Sequence, residues 1–212
     1  MGRKARVSPD RILAAAEVEF AARGFAGARV DRIARRARVN KAMIYYHFRS
    51  KQELYRALLR RMFQTIGDRL REVAASDDSP AAKIDRVVAT LAELVGEHAH
   101  LPAVMLREIA DGGARLDRDT LAALAALPAV VAGIVQQGVT EGAFRPVPPI
   151  FAYFAMVAPI IFYRASAPIR AEVTDLHLVD LRLTPEAFVH HMQEAQRRIL
   201  AGAGPSRSRP TS

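Results

Sequence analysis

Three times in this chain a hydroxyl residue stands immediately before a proline: Ser8-Pro9, Ser79-Pro80 and Thr184-Pro185. Each pair sets a capping oxygen ahead of a residue whose fixed φ suits the first turn of a helix, where its missing N–H is not needed. Ser50-Lys51-Gln52-Glu53 adds a fourth helix start, with the hydroxyl and the carboxylate three residues apart as in a capping box. No segment sustains strand alternation, apart from an ambiguous patch at 176–183. The chain therefore reads as all-α, with about nine helices.

Periodicity places the helices. The first is expected from Pro9 to Arg23, with Ile12, Ala15, Ala16 and Phe20 on its inner stripe. Gly24 can take a left-handed stop, and Phe25 can fold back onto the core. A short second helix, Val30 to Ala37, has Val30, Ile33, Ala34 and Ala37 at i, i+3, i+4 and i+7. A third follows Asn40 and ends near Phe48. A fourth begins at Ser50 and runs to about Ala75, with Leu54, Leu58, Ile66, Leu70 and Val73 inward. Beyond the break at 76–80, helices are expected at 80–98, 102–110, 119–138, 148–164 and 185–201. The segment 166–183 receives no firm assignment, and the small, polar, basic tail 203–212 is expected to be disordered.

Charge is distributed unevenly. The first 61 residues hold 16 Lys and Arg against 5 Asp and Glu, while the remainder is slightly acidic, for a total of +9. Such a one-ended field suits a polyanion such as nucleic acid. A chain that merely scatters arginine over solvated faces would show no such concentration. The absence of cysteine excludes a disulfide scaffold, a thiolate metal site and a cysteine nucleophile, and fits a cytoplasmic location. The basic start is followed by no apolar run, so a secretory signal is not expected. The stretch Ile150 to Tyr163, taken as the longest apolar one, is too short for a bilayer, and no membrane partner is expected.

The basic region centres on "RVNKAMIYYHFRSKQELY", residues 38–55. On a helical wheel of its third helix, Ile44 and Phe48 point one way and anchor it. The opposite arc carries Ala42 and Tyr46, flanked by Met43 and Tyr45, with Lys41 near the helix start. A helix this short must be docked to persist, which leaves the outer face free. A major groove about 12 Å wide admits such a helix, and residues near its start reach base edges. Tyrosine hydroxyls and a histidine N–H suit phosphate oxygens, and Lys51 in the next helix's first turn adds a cation. Residues 30–48 thus read as a helix-turn-helix. The competing reading makes Tyr45, Tyr46 and His47 plain core or interface residues, which the charge, the spacing and the N-cap together disfavour.

"ARVDRIARRARVNKAMIYYHFRSKQELYRALL" closely resembles the DNA-binding segment of the tetracycline-repressor (TetR) family of bacterial regulators. The specific part is Tyr-x-His-Phe followed by Ser50-Lys51 and Leu54, and the likeness is strong over about residues 8–60. The resemblance implies a homodimer whose last two helices pair, and a ligand cavity in the middle helices. It carries Lys41, Ala42 and Met43 onto positions facing base edges. It carries Arg29 and Val30 onto the start of the second helix beside the DNA backbone, and Tyr45, Tyr46, His47 and Lys51 onto phosphate contacts. Arg38 departs from the pattern, since that turn usually has glycine; a left-handed non-glycine residue there is disfavoured by roughly 1 kcal/mol.

The resemblance divides the chain into a DNA-binding domain (1–50) and a ligand-binding and dimerisation domain (51–202), with dimer contacts at 148–164 and 185–201. Val95, Met105, Glu108, Val131, Ile134 and Phe154 are candidates to line the effector cavity. Glu97, His98 and His100, or His190-His191, lack the spacing of a metal site, so neither metal nor cofactor is expected. No nucleophile elbow, phosphate loop or zinc helix points to an enzyme. The function implied is a ligand-responsive DNA-binding regulator, most simply a repressor released from a palindromic operator by a small molecule. The alternative is a sequence-indifferent basic DNA-binding protein.

Overall fold

The computed structural model describes residues 8–201. Among them are ten helices and no strand: α1 (Pro9–Gly27), α2 (Val30–Ala37), α3 (Lys41–Phe48), α4 (Lys51–Ala74), α5 (Pro80–Glu97), α6 (Leu101–Ala110), α7 (Arg118–Thr140), α8 (Pro149–Ala165), α9 (Ala167–Asp175) and α10 (Pro185–Leu200). The tail 203–212 lies outside the described residues.

The predicted helix starts form. Ser8 accepts from the Asp10 N–H at 3.2 Å, Ser79 from Ala82 at 3.3 Å and Thr184 from Ala187 at 3.2 Å. Ser50 accepts from the Glu53 N–H at 3.0 Å, but the Glu53 carboxylate pairs with Arg56 rather than returning to the cap. Gly24 breaks α1 with φ 65° and ψ 177°, a conformation open to glycine. Phe25 then turns back and packs edge-on against Tyr55, with centroids 5.3 Å apart.

The chain folds into two compact units. One gathers the chain up to Thr65 together with Glu97–Ala125. Its core is Ile12, Ala16 and Phe20 of α1, Ile33 and Ala34 of α2, Ile44 of α3, and Leu54 and Leu58 of α4, all buried. The other gathers Ile66–Gly96 and the chain from Ala126 on. Its core joins Val87, Val88 and Leu91 of α5 with Val131, Ile134 and Val135 of α7, Met156 and Ile160 of α8, and Met192 and Leu200 of α10. Here the Tyr163 and Phe188 rings stack 4.1 Å apart, joining α8 to α10.

Two expectations are corrected. The segment 166–183 holds α9, and its ambiguous patch is not a strand. No α9 residue is buried, so the helix has no inner stripe for a sequence pattern to reveal. The longest apolar stretch is in α7 rather than α8: this 23-residue helix contains an 18-residue window of mean hydropathy 1.7. Its run is built from alanines and interrupted by Pro128, which disguised its length.

Candidate nucleic-acid interface

The first unit presents α2 and α3 across a tight turn. Arg38 takes the left-handed conformation, φ 52° and ψ 47°, in the place where glycine is usual. The Val39 N–H donates to the Ala34 carbonyl at 3.0 Å, so the turn closes despite the side chain. Asn40 then caps α3, accepting from the Ala42 N–H at 2.9 Å. Ile44 is 1% exposed and docks the helix, while Tyr46 is 79% and Tyr45 41% exposed. Ala42 is exposed as well, and Met43 is half-buried at the edge of the same face. The arc expected to meet DNA is therefore open to solvent.

Other expected contacts are disposed differently. Lys41 pairs with Asp31 of α2 at 2.8 Å. The hydrogen bond from Lys41 and the lysine's charge hold the Asp31 carboxyl below its usual range, and the same bond with the carboxylate's charge raises the lysine's pKa. Both side chains are about half exposed, so water screens the pair and a base could displace the carboxylate at little cost. Val30 is buried, so its side chain is not at a DNA backbone; only its peptide unit could be. Arg29, just before it, is exposed. The His47 Nε2 is buried without a partner among the described residues, and the ring lies edge-on to Tyr46 at 5.3 Å.

Lys51 departs furthest from expectation. Its ammonium donates to the carbonyls of Phe25 at 2.8 Å, Ala28 at 3.1 Å and Ala26 at 3.5 Å, and sits 4.6 Å from the Phe25 ring centroid. Three donors meet three carbonyls, so the side chain fastens the first turn of α4 to the α1–α2 turn instead of facing solvent.

Glu19 is a participant the sequence reading missed. It is buried on α1, accepts from the Arg29 N–H at 3.2 Å, and lies 3.6 Å from Arg32 and 3.7 Å from Arg23. It thereby serves α2 as an N-cap supplied from another helix, since Arg29 offers no capping side chain of its own. The signal was present: Glu19 falls on the apolar stripe beside Ala15, Ala16 and Phe20, where an unpaired carboxylate would be costly. Around it Arg23, Arg32, Arg35 and Arg36 form an open basin with one carboxylate for four guanidinium groups.

The same unit holds a buried polar network at α6. Glu108, 2% exposed, accepts from the Tyr55 hydroxyl at 2.8 Å and from the Arg115 N–H at 3.2 Å. Burial, reinforced by that carboxylate, pushes the Tyr55 hydroxyl well above its usual range. Glu108 was expected to line an effector cavity; here its oxygens tie α6 to α4. Arg107 reaches α1, donating to the Phe20 carbonyl at 3.2 Å and to that of Ala21. Met105 is half-buried in this unit, while Val95, Val131 and Ile134 are buried in the other. Phe154, also expected to line the cavity, is 56% exposed on α8. His98 and His190 pair with Glu17 and Glu194, at 3.7 and 3.5 Å.

Known proteins resemble this chain in sequence and in fold. Residues 12–58 match the model of "Bacterial regulatory proteins, tetR family". Over 156 residues the chain is 26% identical to the HTH-type transcriptional repressor NicS of Pseudomonas putida, covering 73% of this chain and 74% of that one. A bacterial regulatory protein in the tetR family from Rhodococcus RHA1 superposes with a TM-score of 0.73 at 19% identity, over 95% of this chain and all of that one. The transcriptional regulator FadR from Bacillus subtilis, solved in complex with stearoyl-CoA, gives a TM-score of 0.71 at 18% identity, over 89% of this chain and 97% of that one. At those identities the two structures show a common fold.

Proposed function

We propose that the chain is a ligand-responsive, DNA-binding transcriptional regulator of the tetR family, a repressor that binds a palindromic operator as a homodimer and leaves it when a small molecule binds; the family match over residues 12–58 and the likeness to a repressor support this reading. The observation that carries this reading is α3. An eight-residue helix is held by Ile44 and Asn40 while Ala42, Tyr45 and Tyr46 stay exposed among cations. A face of that shape suits a major groove.

In this reading residues 1–50 contact DNA, and 51–202 hold the effector and the second subunit. Lys41, Ala42 and Met43 meet base edges. Arg29, the Val30 peptide, Tyr45, Tyr46 and His47 meet the backbone, and Lys51 positions the helices that do so. Exposed Ile150, Phe151, Phe154 and Phe162 give α8 an apolar face for a second copy, with α10 beside it. Val95, Val131 and Ile134, all of the second unit, are the residues we assign to the effector cavity. The protein works where the chromosome is, in the cytoplasm, and as a regulator rather than an enzyme.

Selection of bound duplexes from a random pool tests the proposal. A recovered palindrome with half-sites about one DNA turn apart is expected. Binding with a steep salt dependence but no preferred sequence would overturn it.

A further inference from the structure

The first unit contains a cavity of about 280 Å³ at the Gly24 break, between the end of α1, α4, α6 and the residues that follow α6. Its floor is aromatic: Phe20, Phe25 and Tyr55. Its wall is cationic, with Arg23, Arg107 and Arg115 against the single carboxylate of Asp111. Four of the residues assigned or expected to hold an effector, Val95, Val131, Ile134 and Phe154, belong to the other unit, and none of the six lines this cavity.

The three guanidinium groups are not equivalent. Arg115 is matched, 2.6 Å from Asp111 and 3.5 Å from Glu108, and lies over the Phe25 ring at 4.9 Å. Arg107 uses one terminal nitrogen on the carbonyls of Phe20 and Ala21, which are neutral. Its charge has no carboxylate partner within 4 Å among the described residues, and the carbonyl contacts hold the fork in place. Arg23 reaches only Glu19, at 3.7 Å, and must share that carboxylate with Arg32 and the Arg29 N–H. Two cations therefore converge with incomplete compensation over an apolar floor. A guanidinium fork matches a carboxylate bidentately, and a fork held in advance loses less freedom on binding. The volume is below that of pockets for drug-sized molecules, which begin at roughly 300 Å³.

We propose that this cavity binds a small organic carboxylate with a flat apolar body, its carboxylate between Arg23 and Arg107 and its body against Phe25 and Tyr55. The site is additional to the effector cavity and to the DNA-binding face, so it stands or falls independently of the operator reading.

Benzoate is the probe, titrated calorimetrically into the full-length protein. Saturable binding of one benzoate per chain, in the millimolar range or tighter, is expected, with benzamide and inorganic phosphate failing to bind. Arg23→Gln should weaken binding about tenfold, the effect of losing one charged hydrogen bond. Ala110→Glu, which sets a carboxylate in the cavity lining, should abolish it. Both positions are exposed, and the melting temperature without benzoate checks that folding is intact. Absence of saturable benzoate binding overturns the proposal. So does equal binding of benzamide, which removes the need for charge, or of phosphate, which removes the need for an apolar body. Undiminished binding to both variants places the site elsewhere and overturns it as well.

Discussion

Replacing Lys51 by methionine separates two roles that a lysine at the start of a helix can play. Methionine keeps most of the apolar stem and removes the charge. If the ammonium met a phosphate, each subunit would lose one neutralised phosphate, and the slope of log K against log salt would fall by about 0.9 per subunit. For a homodimer that is a change of roughly 1.8, easily measured by fluorescence anisotropy between about 50 and 200 mM salt. The structure argues for the other role. Two carbonyls at 2.8 and 3.1 Å receive the ammonium well, and the third, at 3.5 Å, only weakly. A hydrogen bond from a charged donor contributes roughly 1.5–3 kcal/mol net. The contacts share one half-buried cation and are not additive, so we expect a loss of about 2–3 kcal/mol. In a chain of this size that lowers the melting temperature by roughly 4–12 °C. Operator affinity should fall at every salt concentration by a similar factor, with the slope preserved. A slope reduced by about two, with melting unchanged, would refute the reasoning and return Lys51 to the phosphates.

Lys41→Ala should reorder the sequences recovered from a random duplex pool while leaving the melting temperature unchanged, because its pair with Asp31 is exposed; an unaltered ranking removes Lys41 from base readout. Gln196 is fully buried on α10, and no described residue reaches either amide atom, so Gln196→Met should stabilise the protein by roughly 1 kcal/mol, read as a higher denaturant midpoint. Tyr55 has a folded-state pKa above that of an unfolded tyrosine, so the stability from keeping it protonated is complete below about pH 10 and declines as pH rises further. Tyr55→Phe should therefore melt lower at neutral pH, having lost its bond to Glu108, yet lose less on going from about pH 9 to 11 than the parent does.

What the sequence made legible follows from which signals are local. Caps and breaks act within four residues, so the hydroxyl–proline starts, Asn40 and Gly24 were readable, and the helices they bound appear where expected. The outward arc of α3 was readable because Ile44 and Phe48 fix the opposite side. α9 was not, since a helix with no buried face leaves no periodic trace. Nor were the destinations of Lys51, Arg107 and Glu108. A charged residue in a sequence announces a need for a partner without saying which, and these partners lie 26, 87 and 53 positions away.

Those distant partners share a purpose. Helices of eight residues, as α2 and α3 are, have too few internal hydrogen bonds to offset the ordering of their ends. α3 is capped locally by Asn40, but the ends of α2 are completed from outside. Glu19 of α1 receives the Arg29 N–H at the start of α2, and Arg11 of α1 donates to the Ala37 carbonyl at its finish, at 2.9 Å. Arg107 of α6 closes carbonyls of α1 ahead of the Gly24 break, and Lys51 of α4 closes those after it. The basic composition of this region therefore serves two ends. Lys51 and Arg11 act as rivets in backbone ends, and Arg29, Arg35, Arg36, Arg38 and Arg49 remain exposed. The net charge of the first 61 residues thus overstates the number of phosphates this domain can neutralise. The difference is the set of cations that hold α2 and α3 in the posture a groove requires.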